Sequence, residues 1–323
     1  MAKLLVLGSE GTLGRPLVEE LLRRGHEVHT ADSRHSEKPT HVRCDISEFR
    51  QLQALLQDDF QYVYNLAAEF GRKNGEDYFE QLWKTNAVGL KNLLRLQEAK
   101  RFKLIHFSSS EIYGEAPLPE GSSLSEDIPD RFPLRQKNDY AISKWVNELQ
   151  IRNSAEQYGT DTVTVRLFNA YGPGEHYTPY RSVVCLFIYR ALHGLPYQVF
   201  LNYKRVFMYI DDAVVTLANI VDRFKRGAVY NIGGEEYVEV RTASDMILAY
   251  LGKDDSMVEY LPEDKHNVMS KKPDITRARL DLGHDPATRL TEGIPKTIEW
   301  MKQVYVTAPQ SRAQMGRAGA PSA

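Results

Sequence analysis

Tyr140 and Lys144 stand four residues apart in the run Tyr140-Ala141-Ile142-Ser143-Lys144, a spacing that puts a phenol and an ammonium on one helix face. A neighbouring cation favours the phenolate and lowers the phenol pKa. Tyr140 is then a usable general base toward a hydroxyl. Of the 18 tyrosines only Tyr140 has a lysine at the fourth following position, which chance alone could give. Its meaning comes from its place. The pair follows a strand that runs into Ser108-Ser109-Ser110, and precedes another strand.

A second set of residues opens the chain. Gly8-Ser9-Glu10-Gly11-Thr12-Leu13-Gly14 follows a first apolar strand and begins a helix. Gly8, Gly11 and Gly14 permit a tight turn and let the backbone N–H groups of Thr12 and Leu13 approach a pyrophosphate at the positive helix end. Asp32 closes the second strand. A carboxylate there accepts hydrogen bonds from adenosine ribose hydroxyls and repels a 2′-phosphate, which favours NAD over NADP. Arg34, close by, pulls the other way. Asp45 and Ile46 are expected to flank the adenine, and Leu66, Ala67 and Ala68 to line the cofactor cleft.

These residues need a scaffold that brings them together. Short segments over 3–7, 27–31, 41–43, 62–65, 104–107 and 162–167 read as strands. Between them, helical patterns cover 13–22, 52–56, 78–99 and 140–158. Strands alternating with helices predict a Rossmann-type, doubly wound parallel α/β sheet. Such sheets bind ligands at the C-terminal ends of their strands, where every residue above falls. After Asn169 the pattern is broken by prolines and aromatics. The expected division is an NAD-binding domain over 1–170, joined by a strand and helix from about 205–235. A mainly substrate-binding region over 171–306 interleaves with it, and 307–323 forms a flexible tail.

Composition narrows the partners. Lys plus Arg number 41 and Asp plus Glu 43, so a net charge of −2 gives no electrostatic reason to expect nucleic acid or an anionic membrane. The longest strongly apolar run, 183–189, is too short for a membrane span. Cys44 and Cys185 stand far apart, outside any metal-ligand pattern, and fit a reducing, cytoplasmic setting. His26-Glu27-Val28-His29 lies on a strand and lacks the spacing of a helical zinc motif, so no metal is expected.

Taken together the motifs resemble the extended short-chain dehydrogenase/reductases, in the group of NAD-dependent nucleotide-sugar epimerases, dehydratases and decarboxylases. The resemblance runs from Lys3 to about Tyr305. It rests on Gly8/Gly11/Gly14, Asn65-Leu66-Ala67-Ala68, the segments 108–114 and 166–173, Tyr140/Lys144, and 205–212. It implies that Ser109 hydrogen-bonds the sugar hydroxyl, Tyr140 is the base and Lys144 also holds the nicotinamide ribose. Ser110, Asn169 and Arg205 then contact the nucleotide sugar. It also implies a homodimer through a four-helix interface built on 78–99 and 140–158. Asn65 departs from the family, which often has histidine there.

The shared first step is oxidation at sugar C4, after which the ketone has three fates. It can take up the electrons released as CO2 leaves a uronic acid, it can acidify C5–H for loss of water, or it can be reduced from its other face. Residues 109–111 bear on the choice. Dehydrating members resemble Thr-Asp-Glu here, and the serine at 110 is too weak an acid to replace that aspartate. Simple 4-epimerases usually lack the carboxylate of Glu111. Ser109-Ser110-Glu111 resembles the UDP-glucuronate decarboxylases, with a 4-epimerase (of a uronic acid, for instance) second and a dehydratase third. A non-catalytic dinucleotide sensor is disfavoured by the presence of Tyr140, Lys144 and Ser109.

Overall fold

A computed structural model describes residues 1–119, 121–264 and 267–307. The first half builds six strands: β1 (Lys3–Leu7), β2 (Glu27–Asp32), β3 (His41–Arg43), β4 (Tyr62–Asn65), β5 (Lys103–Ser109) and β6 (Thr162–Leu167). With Val229–Ile232 they form one seven-stranded sheet in the order Val229–Ile232, β6, β5, β4, β1, β2, β3. Every neighbouring pair is parallel. The chain winds one way from β1 to β3 and the other way from β4 to β6. The order therefore reverses between β1 and β4, which opens a crevice at their C-terminal ends.

Both faces of the sheet are buried at its inner strands, which is why β1 reads as a continuous apolar run, while the edge strand β3 stays exposed. Leu4 and Val6 pack with Leu17, Val18 and Leu21 of the helix Gly14–Arg23 and with Leu217 of the helix Ile210–Asn219. Leu5 and Leu7 point the other way, to Leu90, Leu93 and Leu94 of the helix Gly89–Lys100. The first helix ends where glycine was expected to stop it. Gly25 takes φ +81°, and the N–H groups of Gly25 and His26 cap the carbonyls of Leu22 and Leu21.

The single helix expected over 78–99 is instead Phe79–Trp83, a π-helical turn Lys84–Val88, and Gly89–Lys100. The cause is Asn86. Its side chain accepts from Glu69 N (2.9 Å) and donates to Glu69 O (3.0 Å) and Ser143 Oγ (3.0 Å), tying the helix to its neighbours. The rest of the chain adds a small sheet of Tyr237–Glu239, Lys204–Val206 and Ser270–Lys271, and a parallel pair Tyr197–Phe200 with Val258–Leu261. Helices Val183–His193, Val240–Leu251 and Leu290–Lys302 cover a second core. Of the tail expected over 307–323, Thr307 closes the turn Gln303–Thr307, and 308–323 lie outside the described residues. Among the described residues no helix is long and apolar enough to cross a membrane.

Candidate active site

The glycine loop leaves β1 at Gly8, whose φ is +79° and whose N–H donates to Ala31 O at 2.8 Å. A Cβ on Gly8 would lie 2.6 Å from Ala67 N, and one on Gly14 would lie 2.2 Å from Gly8 O. Glycine is required at both places for backbone to meet backbone. Asp32 braces the loop, its Oδ2 accepting from Glu10 N (3.0 Å) and its Oδ1 from Arg34 N (2.9 Å). Thr12 Oγ1 is buried with no hydrogen-bond partner among the described residues. An orphaned hydroxyl at a glycine-cradled helix start fits a dinucleotide's pyrophosphate.

Ser109 ends β5 and caps the 3-10 turn Ser110–Tyr113, its Oγ accepting from Glu111 N at 3.2 Å. That cap brings Glu111 round to the cleft. Across from it runs the helix Asp139–Tyr158, started by Asn138, whose side chain accepts from Ala141 N at 2.8 Å. Tyr140 and Lys144 occupy its first turns. A buried ion pair locks this helix to the sheet: Arg166 of β6 donates through Nε (3.0 Å) and Nη2 (2.8 Å) to the two oxygens of Glu148.

The tyrosine–lysine pair differs from expectation in one respect. Burial pushes the Tyr140 phenol up to about 12, with Glu111 adding to the rise and a hydrogen bond with Ser109 opposing it. The phenol is thus raised, not lowered, beside Lys144. The ammonium lies 5.9 Å from the phenol ring centroid and donates to Phe107 O at 2.8 Å. Burial brings Lys144 itself down to about 8, against the pull of Glu148.

Around Glu111 the structure adds residues that no motif announced. Its carboxylate contacts the ammonium of Lys271, which is 1% exposed. Burial pushes the Glu111 carboxyl up, but Lys271, Arg72 and Arg205 together outweigh that and hold it below the ordinary value. Arg72 pairs with Asp264 at 2.6 Å. Arg205, expected to meet the substrate, is largely taken up by protein. Nη1 donates to Lys204 O and Met269 O, and Nη2 to Asn267 Oδ1 and Val268 O. Asn169 has φ +32°, and its Nδ2 donates to Val206 O at 3.0 Å.

One cavity of about 1380 Å³ is lined by every residue proposed from sequence: Gly8, Gly11 to Gly14, Asp32, Asp45, Ile46, Leu66 to Ala68, Ser109 to Glu111, Tyr140, Lys144, Asn169 and Arg205. Arg72, Arg181, Phe200, Tyr203 and Asp264 line it too. Position was the available signal for Arg72, since it directly follows the loop leaving β4, at a ligand-binding strand end. Asp264 and Lys271, far along the chain, had none.

The profile of the NAD dependent epimerase/dehydratase family matches residues 4–233. The UDP-N-acetyl-alpha-D-glucosaminuronate decarboxylase of Bacillus cytotoxicus is 28% identical, over 93% of this chain and 98% of that protein. The UDP-glucuronic acid decarboxylase 1 of Danio rerio is 27% identical, over 93% of this chain and 73% of that protein. Among solved structures, the UDP-glucuronic acid 4-epimerase from Bacillus cereus, in complex with UDP-glucuronic acid and NAD, superposes with a TM-score of 0.83 at 25% identity. That match covers 94% of this chain and 100% of that one.

Proposed function

The chain belongs to the NAD-dependent epimerase/dehydratase family and is an enzyme that uses NAD, and on that premise we propose that it decarboxylates a nucleotide-linked uronic acid of the UDP-glucuronate type through a 4-keto sugar. NAD held on the glycine loop supplies the hydride acceptor and donor. Ser109 holds the C4 hydroxyl, and Tyr140 takes its proton and later returns one. Lys144 anchors the nicotinamide ribose. The ketone then lies β to the C6 carboxylate and receives the electrons of the breaking C5–C6 bond. Residues 1–170 with about 205–235 serve the dinucleotide, and 171–306 mainly serve the nucleotide sugar.

The observation that carries this reading is Glu111. It is an ionised carboxylate in a cluster of cations, with serine rather than an acid at 110, so elimination of water has no proton donor there. Incubation with UDP-glucuronate and NAD, followed by mass spectrometry, is the test. Loss of CO2 is expected. Inertness toward UDP-glucuronate combined with water loss from a neutral hexose nucleotide would overturn it. A second reading, 4-epimerisation of a uronic acid, draws on the same cation cluster and on the likeness to the Bacillus cereus enzyme. Unchanged mass with altered retention selects it.

The working unit in this reading is a homodimer. Exposed apolar side chains on the two helical faces support it: Tyr78, Phe79, Val88, Ile142 and Leu149. Sedimentation showing only monomer at micromolar concentration removes that part. We place the enzyme in the cytoplasm, which suits its two buried free thiols, Cys44 and Cys185.

A further inference from the structure

The charged side chains at the sugar end of the cleft can be told apart by counting their donors. Arg205 uses both amino groups on Lys204, Met269, Asn267 and Val268, which leaves only its Nε–H. Lys271 is fully buried behind Glu111 and contacts it. Arg72 differs on both counts. It starts the helix Arg72–Asp77, lines the cavity and keeps 29% of its side chain exposed. Among the described residues it commits one N–H, from Nη1 to Asp264 at 2.6 Å. Four N–H groups of a planar fork remain.

That one bond fixes the fork. Asp264 is itself clamped by Tyr203, which donates from its hydroxyl to Asp264 O (3.1 Å) and accepts from Asp264 N (2.8 Å). Arg72 therefore reaches across to an anchored partner and presents its other donors to the cleft. Charge points the same way. Among the described residues this cluster holds three cations, Arg72, Arg205 and Lys271, against the carboxylates Glu111 and Asp264. A neutral sugar leaves one positive charge without a partner, whereas a uronate balances it.

We propose that Arg72 receives the C6 carboxylate of the sugar and selects a uronic acid over a neutral hexose or a pentose. This rests on the uronate reading given above and deepens it. A guanidinium fork meets a carboxylate through two parallel N–H···O bonds, a geometry that lysine cannot reproduce.

The test is calorimetric titration of the NAD-loaded enzyme with UDP-glucuronate, UDP-glucose and UDP-xylose. Wild type should bind UDP-glucuronate best. Arg72→Gln should weaken UDP-glucuronate by about 10- to 100-fold and leave the two uncharged sugars within about twofold. Arg72→Lys should fall between. Equal losses for all three ligands would overturn the proposal, placing Arg72 on the diphosphate or in the fold. Unchanged UDP-glucuronate affinity would also overturn it. The reaction is a separate matter. If wild type shows no preference for the uronate, the underlying reading fails first. If it prefers the uronate but epimerises it, the assignment of Arg72 stands and decarboxylation falls.

Discussion

Glu148→Ala should cost the fold far more than an ordinary surface change, and the magnitude can be built from its partners. Glu148 is 2% exposed and Arg166 0%, so neither charge has water to fall back on. Arg166 donates two bonds to Glu148, one to Tyr113 Oη (2.9 Å) and one to Glu126 O (2.8 Å). Burial pulls the guanidinium pKa down, but Glu148 outweighs it and holds the value above the ordinary one. Arginine has no neutral form within reach, so removing Glu148 strands a buried charge. Breaking such a pair costs about 3–5 kcal/mol. Ser108 Oγ, which donates to Glu148 at 2.6 Å, loses its acceptor as well and adds roughly 1 kcal/mol. The expected outcome is a thermal midpoint lower by roughly 5–10 °C, read by calorimetry or near-ultraviolet circular dichroism. Glu148→Ala/Arg166→Met removes both charges and should be less destabilised than Glu148→Ala alone, since the desolvation penalty goes with them. A single variant within about 1 kcal/mol of wild type, or a double variant that is worse than the single, refutes the reasoning.

Further outcomes follow from the site. Tyr140→Phe should lower kcat by about 10²–10⁴ while NAD affinity stays near wild type by calorimetric titration; turnover that survives the change removes Tyr140 as the base. Lys271→Met takes away the largest charge that offsets burial at Glu111, so that carboxyl's pKa rises. The ionised form is then lost first at the acid end, and kcat should fall as pH drops and recover as pH is raised. Lys271→Arg should restore the wild-type profile, and an acid limb that does not move in Lys271→Met argues against Lys271 as the group that keeps Glu111 ionised for turnover. Gly14→Ala forces a methyl against Gly8 O and should weaken NAD binding by tenfold or more, about 1.4 kcal/mol, in the same titration; an unchanged Kd sinks the account of the loop.

The strands over 3–7, 41–43, 62–65 and 162–167 end where the sequence places them. The three inner strands among them are covered on both faces, and turn or polar residues cut them off sharply, whereas His41–Arg43 is a short, exposed edge strand. The cleft was legible for the same reason, since a parallel sheet carries all its strand ends to one edge. The π-turn Lys84–Val88 was not legible, because one extra residue per turn barely disturbs an apolar spacing read over two dozen residues. The cations around Glu111 were hidden differently. Arg72 and Asp264 are 192 residues apart and meet only because the second half folds over the first. No local periodicity can report a contact at that separation. Arg205 could be placed at the cleft by resemblance, but not assigned its partners. Apart from the carbonyl of Lys204, those come from residues 267–269, which carry no motif.

Asn65 shows what a motif read position by position leaves out. By resemblance the site has lost a histidine there. In the sheet, Asn65 of β4 is paired in register with His106 of β5, and its Nδ2 lies 3.2 Å from His106 Nδ1. An imidazole is thus kept at that level of the sheet, one strand over. Burial, reinforced by the Lys144 charge, holds His106 well below its ordinary pKa, so the ring is neutral and carries a single proton. Asn147 locates that proton. With its amide nitrogen directed at Asn86 O (2.9 Å) and Ser143 O (3.1 Å), its oxygen is left to face His106 Nε2. Nε2 is then the donor, and Nδ1 accepts from Asn65. The neutral histidine links β4 and β5 to the helix of Tyr140 and Lys144 and, through Asn147, to the π-turn at Asn86. Two apparent irregularities, an asparagine in place of a histidine and a bulged helix, belong to one hydrogen-bonded chain beneath Lys144.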